Sequence, residues 1–293
     1  MTISGFTFVR NAEQRGYPVQ ASIRSILPLV DEFIVALGPC NDATEELIRA
    51  IDDPRIRIIP TTWNERMRND CGFKGFNYGQ QKSIALFNCT GDWAFYLEAD
   101  EVLHEDDLPL IRQTLEKYDD DERVEALALN YLHFYGNAET IAWSPGWYRH
   151  ATRVIRNTIP AWGPKGLFFT VLDTPRRGRY PRAVRCDARV FHYGWVRSEE
   201  QMADKAQAIE TYFGATAKPR NIAIGRIDRS FLQHYNGSHP ATVQSWLPPS
   251  DGLFEPDPDY RPTYRDWRHR WMLRLERTFG FEYNRSHYRL IRP

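Results

Sequence analysis

The chain has 293 residues, 42% hydrophobic and 14% aromatic, enough for one large domain or a domain with an extension around a sizeable core. Lys and Arg number 38 against 38 Asp and Glu, and a formal net charge of zero excludes a general nucleic-acid binder. Cys40, Cys71, Cys89 and Cys186 lack zinc-knuckle and CxxC spacing, which leaves free thiols in a reducing compartment. The first residues carry no basic segment and no long apolar run, and no stretch reaches membrane-span length. A soluble, cytoplasmic protein is the expectation.

Ile3 to Val9 reads as a short buried strand stopped by Arg10-Asn11-Ala12-Glu13, and Gly16 to Leu29 follows with Val19, Ile23, Ile26 and Leu27 at helical spacing. Phe33 to Leu37 is a second strand, Gly38 to Asp42 a turn, Ala43 to Ile51 a helix and Ile56 to Ile59 a third strand. This β-α-β-α-β order marks an α/β fold with a parallel sheet of the nucleotide-binding type. Trp63 to Asn77 is a polar loop, long enough to carry function. Tyr78 to Cys89 is helical.

Trp93 to Leu97 is then a buried strand that ends in Glu98, Asp100 and Glu101. The carboxyl edge of such a sheet is where ligands collect. On a continuing strand Glu98 and Asp100 would point to one side, and two hard oxygen ligands on one face suit Mg²⁺ or Mn²⁺. The bland alternative is a strand end with solvated acids. Glu105 to Tyr118 reads as a helix, Asp119 to Glu122 as a solvated turn, and Val124 to Tyr135 as a strand. From Trp143 to Pro181 the aromatics, Pro and Gly fit loops and short strands, with Trp143 to Trp162 available for stacking on a sugar or apolar acceptor. Arg189 to Trp195 is a strand that ends near His192, and Ser198 caps a helix to Tyr212.

No GxGxxG follows the first strand, and neither GxxxxGK[ST] nor GxSxG occurs, which counts against a dinucleotide dehydrogenase and a P-loop enzyme. The chemistry falls to carboxylates, His192 and basic residues. The order Phe8-Val9-Arg10-Asn11, Asp31 to Val35, Asn41-Asp42-Ala43-Thr44, Gln81 to Leu86 and Gly91 to Glu101 resembles family 2 glycosyltransferases of the GT-A fold. His192-Tyr193-Gly194-Trp195, followed by Met202 and Lys205, adds to that resemblance, which spans roughly residues 3 to 212.

The resemblance implies a Rossmann-like, mostly parallel mixed sheet flanked by helices, with a helical C-terminal extension. It places a nucleotide-sugar half at 1–101, an acceptor half at 102–225 and an aromatic, Arg-rich extension at 226–293. It implies transfer of a sugar from a nucleotide-diphospho-sugar to an acceptor hydroxyl, with inversion, of the kind that builds bacterial surface glycans. A divalent Mn²⁺ or Mg²⁺ would neutralise the leaving diphosphate. Asp100 and His192 match the metal position, and imidazole favours Mn²⁺. Val9, Arg10, Asn11, Asp42, Lys82, Glu98 and Ala99 match donor-binding positions, although Asp42 and Thr44 also suit helix capping. Glu98 stands where Asp is usual. Leu37 stands where many members carry a base-recognising Asp, so uracil is not assumed.

For the catalytic base, Asp173 at the end of the run Leu167 to Leu172 is preferred, over Asp187, with Glu101 as the fallback. His234 to Pro240 resembles a segment found after the catalytic domain in related transferases; it would shape an acceptor lid or simply start a helix at Thr242. Nine Arg and no Lys lie between Tyr260 and Pro293. There Tyr264, Trp267, Trp271, Leu275 and Phe279 form one helical stripe. That stripe packs on the core, meets a second copy, or lies on the inner face of a membrane. The alternative to an enzyme is a catalytically silent module of the same fold that binds a sugar or a protein partner. A nucleotidyltransferase is disfavoured because Arg10 to Glu13 is no Gly- and Arg-rich loop.

Overall fold

β1 (Ile3–Val9) is buried along almost its whole length because it is paired on both edges, parallel to β2 (Glu32–Leu37) and to β4 (Trp93–Tyr96). The chain is described here by a computed structural model covering residues 1–67, 74–198, 200–203, 212, 223–249, 252–280, 282 and 286–292. β3 (Ile56–Pro60) adds to β2, again parallel. Alternate residues of these strands feed two core layers. Phe33, Val35, Trp93 and Phe95 pack under α1 (Val19–Ile26), α2 (Thr44–Arg49) and α4 (Leu108–Tyr118). Phe6, Ile34, Ala36, Ala94 and Tyr96 pack under α3 (Phe76–Leu86). Both faces are covered, which is why the strands read as continuous apolar runs rather than alternating ones.

Beyond β4 the sheet becomes mixed. Its order continues through antiparallel β8 (His150–Arg156) to β6 (Ala126–Tyr135), β7 (Thr140–Ala142) and β13 (Leu232–His234). β12 (Arg182–Trp195) runs parallel to β6, and pairs antiparallel to the short β5 (Glu101–Leu103) and parallel to β14 (Arg289–Leu290). A separate small sheet joins β9 (Ala161–Trp162), β10 (Thr170–Thr174) and β11 (Arg177–Arg179). The expected α/β architecture is therefore present: a mixed sheet, parallel through its N-terminal half, flanked by helices. The helical extension is α5 (Tyr264–Phe279), closed by a Thr263–Asp266 capping box and by Gly280 at φ +69°.

Several local expectations change. β4 stops at Tyr96, and Glu101 N–H donates to Glu98 O at 2.9 Å, so Glu98 and Asp100 lie on a turn and not on a continuing strand. The turn at 119–122 is tied down: Trp93 Nε1 donates to Asp119, and Arg156 donates to the carbonyls of Tyr118, Asp119 and Asp121. The start at Thr242 is a single tight turn, Ala241–Val243. Most of the Ser198–Tyr212 helix, with Lys205, lies outside the described residues.

Candidate functional site

Val9, Leu37 and Tyr96 bring three parallel strands to a common carboxyl edge. A cleft of about 540 Å³ opens there. Phe8, Tyr17, Trp63, Tyr78 and Tyr96 give it aromatic walls, Arg10, Arg15 and Lys165 give it positive charge, and Glu98, Ala99 and Asp100 lie along its floor. Gly166, Leu167 and Phe168 close one side. Aromatic faces beside cations suit a base and its phosphates, because every base has a π-face and phosphate oxygens accept from guanidinium and ammonium groups.

At the floor, Asp100 is buried and accepts from Arg197 Nη2 at 3.1 Å. His192, on β12, brings its Nε2 to 3.8 Å from Asp100 Oδ1. The tautomer of His192 follows from its neighbours. Tyr148 O can only accept, so His133 Nε2, at 2.7 Å from it, carries the proton. Burial, with His192 next, lowers His133 to about 3, so its ring is neutral and its Nδ1 accepts. His192 Nδ1 therefore donates across 2.9 Å, which fixes the ring with Nε2 directed at the Asp100 carboxylate. Gly194 permits this approach: a Cβ there would lie 2.4 Å from His192 Nε2 and 3.0 Å from Asp100 Oδ2.

The expected site residues divide cleanly. Val9, Arg10, Glu98, Ala99 and Asp100 line the cleft, and His192 stands behind Asp100. Asn11 and Asp42 do not line it. Asn11 adopts φ +52° and its side chain accepts from Asn41 N–H, while Asp42 accepts from the N–H groups of Gln14 and Thr44; both shape the loop behind the cleft. Lys82 is fully buried, with Nζ donating to Gly166 O at 2.9 Å and Phe168 O at 3.3 Å, and it lies over the rings of Tyr96 and Phe169. It anchors the wall of the cleft instead of facing a donor.

Neither acid expected to act as base reaches the cleft. Asp173 sits within β10 of the small sheet and pairs with Arg179 at 2.7 Å, partly in solvent. Glu101 is wholly buried: Arg153 donates to both of its oxygens, at 2.6 and 2.9 Å, and Tyr131 OH donates at 2.8 Å. Arg153 reaches on to Glu98 at 3.3 Å. Burial, with Glu101 next, raises Glu98 to about 7. Asp187 is absent from the cleft lining as well.

Arg197, His133, Arg153 and Tyr17 are the site residues that sequence reasoning missed. Arg197 stacks over Tyr17 at 4.0 Å, and its buried Nε and Nη1 have no hydrogen-bond partner among the described residues. Its nearness to the His192 strand, five residues on, was the available signal. The predicted aromatic region contributes mainly elsewhere. Trp147 and Trp195 meet at 5.3 Å in a second cleft of about 780 Å³ that α5 borders through Thr263, Arg265 and His269. His234 to Pro240 packs behind β12, where His239 meets Tyr193 OH and Ser238 meets His104.

No protein-family model matches the sequence, and no curated protein matches it. Among solved structures, the chain is similar to glucosyl-3-phosphoglycerate synthase from Mycobacterium tuberculosis. With Mn²⁺, UDP and phosphoglyceric acid bound, that structure shares 20% identity over 44% of this chain and 43% of its own, at a TM-score of 0.32. A complex with Mn²⁺, UDP and glucosyl-3-phosphoglycerate gives 21%, 44%, 44% and 0.32. A complex with Mg²⁺ and UDP gives 19%, 44%, 43% and 0.32. The chain thus spans under half the length of these structures, and so partial a likeness says nothing of what this chain binds or transfers.

Proposed function

We propose that the chain is a metal-dependent glycosyltransferase of GT-A type that moves a sugar from a nucleotide-diphospho-sugar to an acceptor hydroxyl. The observation that carries this reading is Asp100 facing His192 Nε2 across 3.8 Å at the floor of an aromatic, cationic cleft. A carboxylate oxygen and an imidazole nitrogen at that spacing suit a divalent cation at coordination distance from each. Among the described residues no group of three His, Cys, Asp or Glu converges, so donor phosphates and water would complete the shell. Held there, Mn²⁺ or Mg²⁺ would supply Lewis-acid stabilisation of the leaving diphosphate. Arg15 and Lys165 add positive charge toward the same phosphates, and Phe8, Trp63 and Tyr78 offer faces for the base. Val9, Arg10, Glu98 and Ala99 remain the donor contacts in this reading.

Membership of family 2, an inverting course and a role in bacterial surface glycan synthesis come from the sequence resemblance and not from the cleft. So does the division into 1–101, 102–225 and 226–293. Among the described residues no helix is long and apolar enough to cross a membrane. We place the reaction in the cytoplasm. The outward face of α5 is open to a membrane or to a second copy. A catalytically silent sugar- or protein-binding module is the second reading, favoured by one observation: neither expected base lies in the cleft.

The test is a panel of UDP-, GDP-, dTDP- and CMP-sugars with Mn²⁺, Mg²⁺ or chelator. Metal-dependent hydrolysis or transfer from one donor is the expected result. Binding without turnover supports the silent module, and neither binding nor turnover across the panel overturns the transferase reading.

A further inference from the structure

The outward face of α5 is aromatic and its rim is basic. The helix turns His269, Leu273 and Glu276 inward. Glu276 pairs with buried Arg149 at 2.7 Å, and Arg270 holds Asp228 at 2.6 Å, so the helix is fixed to the body through that inner side. Of the three placements open to the stripe, packing on the core is the one the helix does not adopt: Tyr264 is 84% exposed, Trp267 52%, Trp271 60% and Phe279 68%. Leu275 is exposed with them. Arg265, Arg268, Arg274 and Arg277 are exposed around this stripe, and Arg274 lies over the Trp271 ring at 5.2 Å. The two acids of the helix are both engaged elsewhere, Asp266 in the capping box and Glu276 with Arg149.

We propose that this face docks on the surface of an anionic phospholipid bilayer. Charge decides between the two candidate occupants. A second copy in two-fold apposition would set arginine rim against arginine rim, with no outward acid on either helix to pair with them. A bilayer of anionic lipid supplies the missing negative charge, and its interface is where Trp and Tyr rings sit with one face apolar and one edge wet. The helix lies on the lipid and does not cross it. The inference rests on this surface alone and stands or falls independently of the transfer reaction.

Co-sedimentation of the full chain with phosphatidylglycerol–phosphatidylcholine vesicles tests it, with pure phosphatidylcholine as control. Binding to the anionic vesicles alone, weakening as salt rises, is expected. The Arg268→Glu/Arg274→Glu pair should lower the partition coefficient by at least about tenfold. The Trp267→Ser/Trp271→Ser pair should lower it similarly, with the circular dichroism spectrum unchanged because both rings are more than half exposed. No binding to anionic vesicles at low salt overturns the proposal. So does binding that ignores both pairs of substitutions, and so does a stable dimer in light scattering that the tryptophan pair dissolves.

Discussion

His133 and His192 meet Nδ1 to Nδ1 at 2.9 Å, and the direction of that hydrogen bond is set by the Tyr148 carbonyl behind His133. His133 therefore works through another residue: it holds the His192 ring with Nε2 directed at Asp100. His133→Phe removes the acceptor and frees the His192 Nδ1 proton from its fixed partner. The expected result is a loss of about 10–100-fold in Mn²⁺ affinity, the usual cost of losing an outer partner of a metal-binding histidine. Isothermal titration of the donor-free protein with Mn²⁺ measures it, and ¹⁵N shifts of His192 report the tautomer directly. An unchanged tautomer and affinity in His133→Phe would remove His133 from this role.

Gly194 gives a second, purely steric check. A methyl group there would overlap His192 Nε2 at 2.4 Å and crowd Asp100, and both neighbours are buried. Gly194→Ala should keep a native circular dichroism spectrum yet lose most metal binding and turnover. Wild-type Mn²⁺ affinity in that variant would show that the Asp100–His192 pair is not the metal site.

Much of the architecture was legible because it rests on local apolar patterning. Phe33 to Leu37 and Trp93 to Leu97 are buried on both faces, and both were recognisable as strands. The carboxyl-edge location of Asp100 followed from strand order. The roles of Lys82 and Glu101 did not, because each depends on a partner far away in sequence, and Asp173 lies in a small separate sheet, paired with Arg179. Lys82 is held by carbonyls 84 and 86 residues on, and Glu101 by Arg153, 52 residues on. Spacing shows that a Lys sits on a helix and cannot show that its ammonium turns inward. The same limit hid the orientation of α5. Its stripe was plain in the sequence, but which side faces the body is decided by the distant Arg149 and Asp228.

The buried pair and the surface pair should lose very different amounts of stability on mutation. Glu101→Ala leaves Arg153 charged, desolvated and short of its main partner, which costs about 3–5 kcal/mol for a pair of this kind. Adding Arg153→Met should recover part of that loss. Asp173→Asn breaks only a partly solvated pair and should cost no more than about 1 kcal/mol. Turnover with the best donor should be unchanged in Asp173→Asn. A large fall in turnover at wild-type stability would restore Asp173 as the base.

The seating of α5 carries a pH signature through Asp228. Burial alone would raise this carboxyl, but donation from Arg270 and Ser230 outweighs it and holds Asp228 below its ordinary value. A carboxylate lowered in the folded state contributes stability above its unfolded pKa, and that contribution is lost as pH falls through the folded value. The window therefore lies below about pH 4. Thermal melts across that range should show the wild type losing stability as Asp228 protonates and releases Arg270. Asp228→Asn should be weaker already at neutral pH, by about 1–3 kcal/mol, because charge-assisted hydrogen bonds are replaced by neutral ones. Its stability should then depend less on pH below 4 than that of the wild type. Parallel pH curves for the two proteins would mean that the Asp228–Arg270 pair does not hold the helix to the body.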